Sequence, residues 1–108
     1  MFATTCENVP GYTNQILGLV RGNVVTSKHV GRDMMAGFKS MVGGEIVSYT
    51  QMTNEGRDIA EQRMMEAAHQ LGADAVVMTR FSSSTPVQGT IEMLCYGTAV
   101  KLIPASNQ

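Results

Sequence analysis

Hydrophobic positions along this chain begin with the short spacing of strands, pass to the longer spacing of helices, and return. The run FATTC, Phe2 to Cys6, is apolar and β-branched and stops at Asn8, Pro10 and Gly11, which predicts a strand ended by a turn. Tyr12 to Thr26 is rich in Val, Ile and Leu but interrupted by Gly18 and Gly22. Glycine inside a strand marks a bulge or a close backbone approach, so this reads as one long bent strand or two short collinear ones. From Arg32 the spacing becomes helical, through Met35, Phe38, Val42, Ile46 and Tyr49, with Met34, Met41 and Met52 beside the stripe. Gly43 and Gly44 fall inside it, each costing about 1 kcal/mol relative to Ala. Either the helix breaks there or another backbone packs closely against it. A second helix, capped by Thr53 or Asn54, runs through Leu71 and stops at Gly72, with Ala60, Met64, Ala67, Ala68 and Leu71 as its apolar arc. Strand spacing returns in Ala73 to Phe81 and, after the turn-rich SSSTPVQG, in Thr90 to Ile103.

The order β-β-α-α-β-β predicts an α+β subunit of two layers, a small mainly antiparallel sheet with helices on one face. Residues 1–104 form one domain and 105–108 a flexible tail. The last strand carries more information than the others. Ile91, Met93, Cys95, Gly97 and Ala99 share one face, while Leu94, Tyr96, Thr98, Val100 and Leu102 share the other. Both are largely apolar, as in a sheet covered on both sides, and one helical layer covers only one of them. The second face calls for a further cover, and another subunit is the natural one.

Composition points the same way. At 108 residues the chain can bury roughly 65% of its unfolded surface. It is 44% hydrophobic and only 16% charged, against about 25% in ordinary domains. Burying part of so sparsely charged a surface against copies of itself is the simplest remedy. The net charge of −1, with basic residues scattered from Arg21 to Lys101, argues against a nucleic-acid partner. There is no signal-peptide pattern and no apolar run of the roughly 20 residues that span a bilayer. The expectation is a cytoplasmic protein with no membrane partner, its Cys6 and Cys95 reduced.

Several blocks carry a resemblance. GLVRGNVV, SKHVGRDMMAGFKSMVGGE, QLGADAVVMTRF and YGTAV, in this order and over nearly the whole chain, resemble the YbjQ family, which is labelled heavy-metal-binding. That resemblance implies a subunit related to the dodecin fold, assembled as a ring-shaped homopentamer, with no established activity to transfer.

Soft or borderline metal donors are Cys6, His29, His69 and Cys95. No two lie within 20 positions, whereas structural zinc ligands usually pair two to four apart. His69 falls on the polar arc of its helix, and the nine methionines sit mostly on core stripes. Cys6, His29 and Cys95 remain the metal candidates, for a soft or borderline ion that folding or assembly would have to gather. Cys95, between Met93 and Ala99, reads as a packing residue. Ser82 to Thr85 offer hydroxyls with no local base, and Tyr12, Tyr49 and Tyr96 form no local stacking pattern. Glu45 and Arg57, on inward arcs of successive helices, read as a buried pair; with Tyr49 and Arg80 they are the candidate ligand-binding or structural polar residues. Arg80 could meet an acid such as Glu92 across a subunit boundary. The preferred reading is a non-enzymatic homo-oligomer that binds an unidentified small ligand in or between subunits. A metal-binding or metal-response protein, and an enzyme with its site at subunit boundaries using Glu45, Tyr49 or Arg80, are the alternatives.

Overall fold

The computed structural model describes residues 1–27, 41, 42 and 45–105. Strands β1 (Phe2–Ala3), β2 (Tyr12–Ser27), β3 (Met41–Val42) and β4 (Glu45–Ile46) precede helix α1 (Val47–Gln70), and β5 (Ala75–Ser84) and β6 (Thr90–Pro104) follow it. Four of these strands form one mixed sheet in the order β1-β5-β6-β2, and β3 and β4 form a separate two-stranded sheet. The chain is α+β, with α1 on one face of the main sheet. It is elongated, 63 × 27 × 17 Å, because the 16 residues of β2 alone extend about 54 Å.

Several expectations are corrected. The helical stripe does not run from Met35 to Tyr49, since Met41–Val42 and Glu45–Ile46 pair antiparallel as strands. Their apolar residues suit both periods, and pairing decides between them. The helix begins at Val47, so Thr53 lies inside it and caps nothing; its Oγ1 donates to the Thr50 carbonyl at 2.9 Å instead. The first strand is shorter than FATTC and pairs parallel with β5. Ser82 to Ser84, which read as a turn, extend β5 because Leu94, Met93 and Glu92 on β6 lie opposite them. Long-range pairing outweighs local turn preference there. The bend expected in β2 is present as a register shift between Ile16 and Gly18.

The C-terminal stop at Gly72 is as expected. Gly72 adopts φ +77°. Its amide donates to the His69 carbonyl, and that of Ala73 to the Ala68 carbonyl, the paired closure of a Schellman motif.

Packing follows from one seam. The buried helix positions Met52, Gly56, Ala60, Met64 and Ala68 are spaced by four, and three of the five are small. They face Val20, Gly22, Met93, Cys95 and Ala99. At Gly22 there is no room for a side chain: a Cβ would collide with the Ala60 carbonyl oxygen and the Met64 amide nitrogen. Helix backbone therefore lies directly on strand backbone. Where the seam carries bulk, Met64 and Met93 fill the core with Cys95, whose thiol donates to the Met64 sulfur at 3.5 Å.

The second irregularity lies in β5. Met78 and Thr79 together oppose Gly97, and Met78 has φ +54°, an uncommon conformation for a residue with a side chain. The bulge is held by the N-terminal segment: Thr4 exchanges hydrogen bonds with Val76 and Thr79, and the Met78 amide donates to the Cys6 carbonyl. A Cβ on residue 97 would stand 2.6 Å from Val76 Cγ1.

Gly22→Ala should lower stability by about 3 kcal/mol, the upper end of overpacking costs, because the two nearest obstacles are backbone atoms. Urea denaturation at matched protein concentration measures this. A loss below about 0.5 kcal/mol, ordinary for an exposed site, would show that the helix can lift off the strand freely.

Candidate functional site on the open face of the sheet

Helix α1 leaves the opposite face of the sheet to be covered by other means. At one end the chain covers itself: Val9 packs with Leu102 onto Ala75, Val77 and Val100. The need for a second subunit is removed at that end. Toward the other end the face is open. Register places Arg21, Tyr96 and Arg80 in one row across β2, β6 and β5, with Asn23, Leu94 and Ser82 in the next. Leu19, Arg21, Ser82, Leu94 and Tyr96 line a recess of about 400 Å3 on this face. Leu19 is 70% exposed and Tyr96 37%.

The bulge in β5 decides where Arg80 goes. Simple alternation from Val76 would send residue 80 toward the helix, whereas the extra residue at Met78–Thr79 aligns Arg80 with Val77 on the open face. Arg80 is exposed and its Nη1 donates to the Thr5 and Thr79 carbonyls at 3.3 and 2.9 Å. Glu92 does not meet it within the chain. Its carboxylate accepts from Asn23 Nδ2 and Ser84 Oγ, both at 3.2 Å. Arg21 is exposed and has no hydrogen-bond or ion-pair partner among the described residues.

The other candidates are scattered. Arg57 is exposed and donates to Asn54 Oδ1 at 3.0 Å, which corrects its expected inward position. The buried seam passes through Gly56, and the next residue is rotated about 100° away, far enough for a long side chain to reach water. Glu45 falls in β4, but its side chain lies outside the described residues, so the proposed pair with Arg57 has one exposed member and one outside description. Tyr49 is partly buried in the first turn of α1. Arg21 was missed by the sequence reading, and Tyr96 was set aside, because only the β2–β6 register joins them.

Metal chemistry finds little support among these residues. Cys6 is exposed, Cys95 is fully buried, and both are free. His69 is exposed, and His29 lies outside the described residues. No three His, Cys, Asp or Glu groups among the described residues gather to hold an ion. Burial, reinforced by the carboxylate of Glu61, pushes the Cys95 thiol up from 9.0 to about 11. A metal ligand or nucleophile has to be a thiolate, so this thiol fits neither role near neutrality. The described donor set does not fit a heavy-metal site.

Comparison with known proteins adds the relationship. Residues 1–103 match the model of the YbjQ family, described as "Putative heavy-metal-binding". The chain belongs to the YbjQ family. A UPF0145 protein of Thermotoga maritima is 59% identical over 103 residues, spanning 94% of this chain and 97% of the relative. A UPF0145 protein of Vibrio parahaemolyticus is 57% identical over 95% of this chain and 99% of its own. Among solved structures, a protein of unknown function from Pediococcus pentosaceus, of the DUF74 family, superposes with a TM-score of 0.68. It covers 94% of this chain and 97% of its own at 20% identity, which supports the fold alone. No helix among the described residues of this YbjQ chain is long and apolar enough to cross a membrane.

Three outcomes follow for this family member. Cys95 should resist alkylation in the native protein at neutral pH and react only on unfolding, while Cys6 reacts at once; mass spectrometry of the labelled peptides distinguishes them. Because the folded pKa of Cys95 lies above the unfolded one, the unfolded state releases its proton first as pH rises. Stability tied to this group is full below about 9 and lost on the way to about 11. Cys95→Ala should flatten that part of the curve of stability against pH. Arg57→Met, at an exposed position, should change stability by less than about 0.5 kcal/mol. A loss of about 3 kcal/mol or more, measured by urea denaturation, would restore the buried-pair reading.

Proposed function

We propose that this protein is a non-enzymatic, self-assembling cytoplasmic subunit that holds a small ligand in or between its copies. The observation that carries the assembly is β2. It lies at the edge of the main sheet, runs for 16 residues, and leaves Ile16 and Leu19 each 70% and Val25 55% exposed. A long edge strand with exposed apolar side chains is a template for association, and natural monomers usually blunt it with charge, proline or a cover. Here Arg21 is the one charged side chain of β2, and Arg63 of α1 takes one acceptor by donating to the Asn23 carbonyl at 2.7 Å. Beside this edge, Leu19, Val20, Arg21, Ala67 and Leu71 line a groove of about 420 Å3. Leu71, expected on the inward arc, is 49% exposed at its rim. An element of a neighbouring copy placed there would cover both the edge and the apolar rim. The resemblance to the YbjQ family supports five copies, in a ring.

Small-ligand binding is favoured over catalysis because the open-face recess combines an apolar floor with a few polar groups, and among its described lining residues no general base stands beside a nucleophile. Sedimentation equilibrium at micromolar concentration should give five times the 11.6 kDa subunit mass. Ile16→Glu, exposed in the single subunit, should shift the protein toward smaller species without unfolding it. A wild-type chain found only at 11.6 kDa would sink the assembly. Native mass compared with denatured mass should reveal a retained ligand, and elemental analysis identifies a metal. A stoichiometric metal ion would replace the small-molecule reading.

A further inference from the structure

We propose that the row Arg21, Tyr96 and Arg80 makes the open-face recess a site for a small organic anion, a carboxylate or phosphate monoester carried on a flat apolar body. This rests on the small-ligand reading above and names the chemistry of the ligand. Three observations converge.

The first is charge without a counter-charge. Two arginines flank Tyr96 on adjacent strands, their Cα positions about 10 Å apart across the sheet. No ion pair with either is formed among the described residues, where the ion pair present joins Lys101 to Asp74. Glu92, the acid on the same face of β6, stands four residues from Tyr96, about 13 Å along the strand. Asn23 and Ser84 already hold it at that distance.

The second is the division of labour between the two arginines. Arg80 is pinned by the Thr5 and Thr79 carbonyls, so it supplies a fixed positive charge in the same row of the sheet without lining the recess itself. Arg21 lines the recess with all its donors free of described partners. A planar guanidinium in that state matches the two oxygens of a carboxylate or phosphate, and it does so with a geometry lysine lacks.

The third is the floor. Tyr96 offers a ring with a hydroxyl, Leu19 and Leu94 offer apolar surface, and Ser82 offers a further hydroxyl. An inorganic anion would leave that floor unused, and a neutral aromatic would leave the charge unanswered. A flat body bearing one anionic group uses both, and a recess of about 400 Å3 has the size of an ordinary small-molecule site.

The experiment is isothermal titration calorimetry on the full chain in its native assembly, with 2-naphthoate, 2-naphthyl phosphate, inorganic phosphate and the neutral 2-naphthamide as probes. At least one naphthyl anion should bind about ten-fold or more tightly than the amide and than inorganic phosphate. The preferred anion then tells a carboxylate ligand from a phosphate ester. Arg21→Gln should lose about ten-fold in affinity, Arg21→Lys should recover part of it, and Arg57→Gln on the helix should bind as the wild type does. Sedimentation of each variant accompanies the titrations. Equal binding of the amide, unchanged affinity in Arg21→Gln, or no binding of either naphthyl anion at millimolar concentration overturns the site. Dissociation of the assembly in Arg21→Gln overturns it as well, because the guanidinium would then be spent on bonds to a neighbouring copy instead of on a ligand. A ligand retained on native mass by the wild type and equally by Arg21→Gln would remove this site while leaving the small-ligand reading standing.

Discussion

The structure depends on one place where two backbones touch. At Gly22 the helix lies so close to β2 that the Ala60 carbonyl and the Met64 amide occupy the space of a side chain. This contact fixes the distance between the layers, and the distance decides what else fits. Small residues must line the seam, hence Gly56, Ala60 and Ala68, and the remaining gaps are filled by the adaptable side chains of Met64 and Met93. Cys95 sits opposite Gly22 in the register of β2 and β6, directly under the closest approach. Its thiol is then a small apolar filler that donates to a methionine sulfur, and burial keeps its proton in place. The inertness of the thiol and the closeness of the helix have the same cause.

The bulge in β5 makes the second decision. Two residues opposing Gly97 exchange the faces of everything that follows, so Phe81 pairs with Cys95 on the helix side and Arg80 with Tyr96 on the open side. Without the extra residue the charge would fall against the helix layer, where it would have to be desolvated. The uncommon backbone of Met78 is stabilised by the Cys6 carbonyl, and Gly97 leaves space for the Val76 side chain, the Val77 carbonyl and the Thr79 hydroxyl. The N-terminal segment thus has a structural role out of proportion to the two residues of β1. It holds the bulge, and the bulge aims Arg80.

What could be read from the sequence follows the range of the forces involved. The period-two pattern marked β2 and β6, local glycine chemistry marked the end of the helix at Gly72, and the neighbours of Cys95 marked it as buried. Each of these signals lies within a few residues of the position it describes. The strands at Met41–Val42 and Glu45–Ile46 were illegible because apolar residues there satisfy helical spacing as well. The serines of β5 read as a turn because their partners lie about ten residues away on β6. Arg57 was placed inward because the arc was drawn from its apolar members, while the true seam, spaced by four, leaves residue 57 on the shoulder of the helix. Arg21 and Tyr96 were invisible as a pair for a stronger reason. Their proximity exists only through a register that itself shifts at Ile16–Gly18, and a one-residue slip would send each to the opposite face.

The distribution of charge gives the two faces different fates. Glu55, Arg57, Asp58, Glu61, Arg63 and Glu66 are all exposed on α1, a large share of the charge in a chain that has little. The helix is therefore the more charged side of the chain. The exposed positions of β2 on the open face between Ile16 and Val25 include a single charge, that of Arg21, among Ile16, Leu19, Asn23 and Val25. A surface that placed its few charges by solvation alone would have no reason to leave the longest strand so bare. Under the proposed assembly the asymmetry has a physical cause: the bare face and edge are covered by a neighbouring copy. A guanidinium retained in such a region is costly to cover unless an anion covers it too. Assembly and anion binding then meet at Arg21, where closing the sheet edge raises the demand for a counter-charge in the recess beside it.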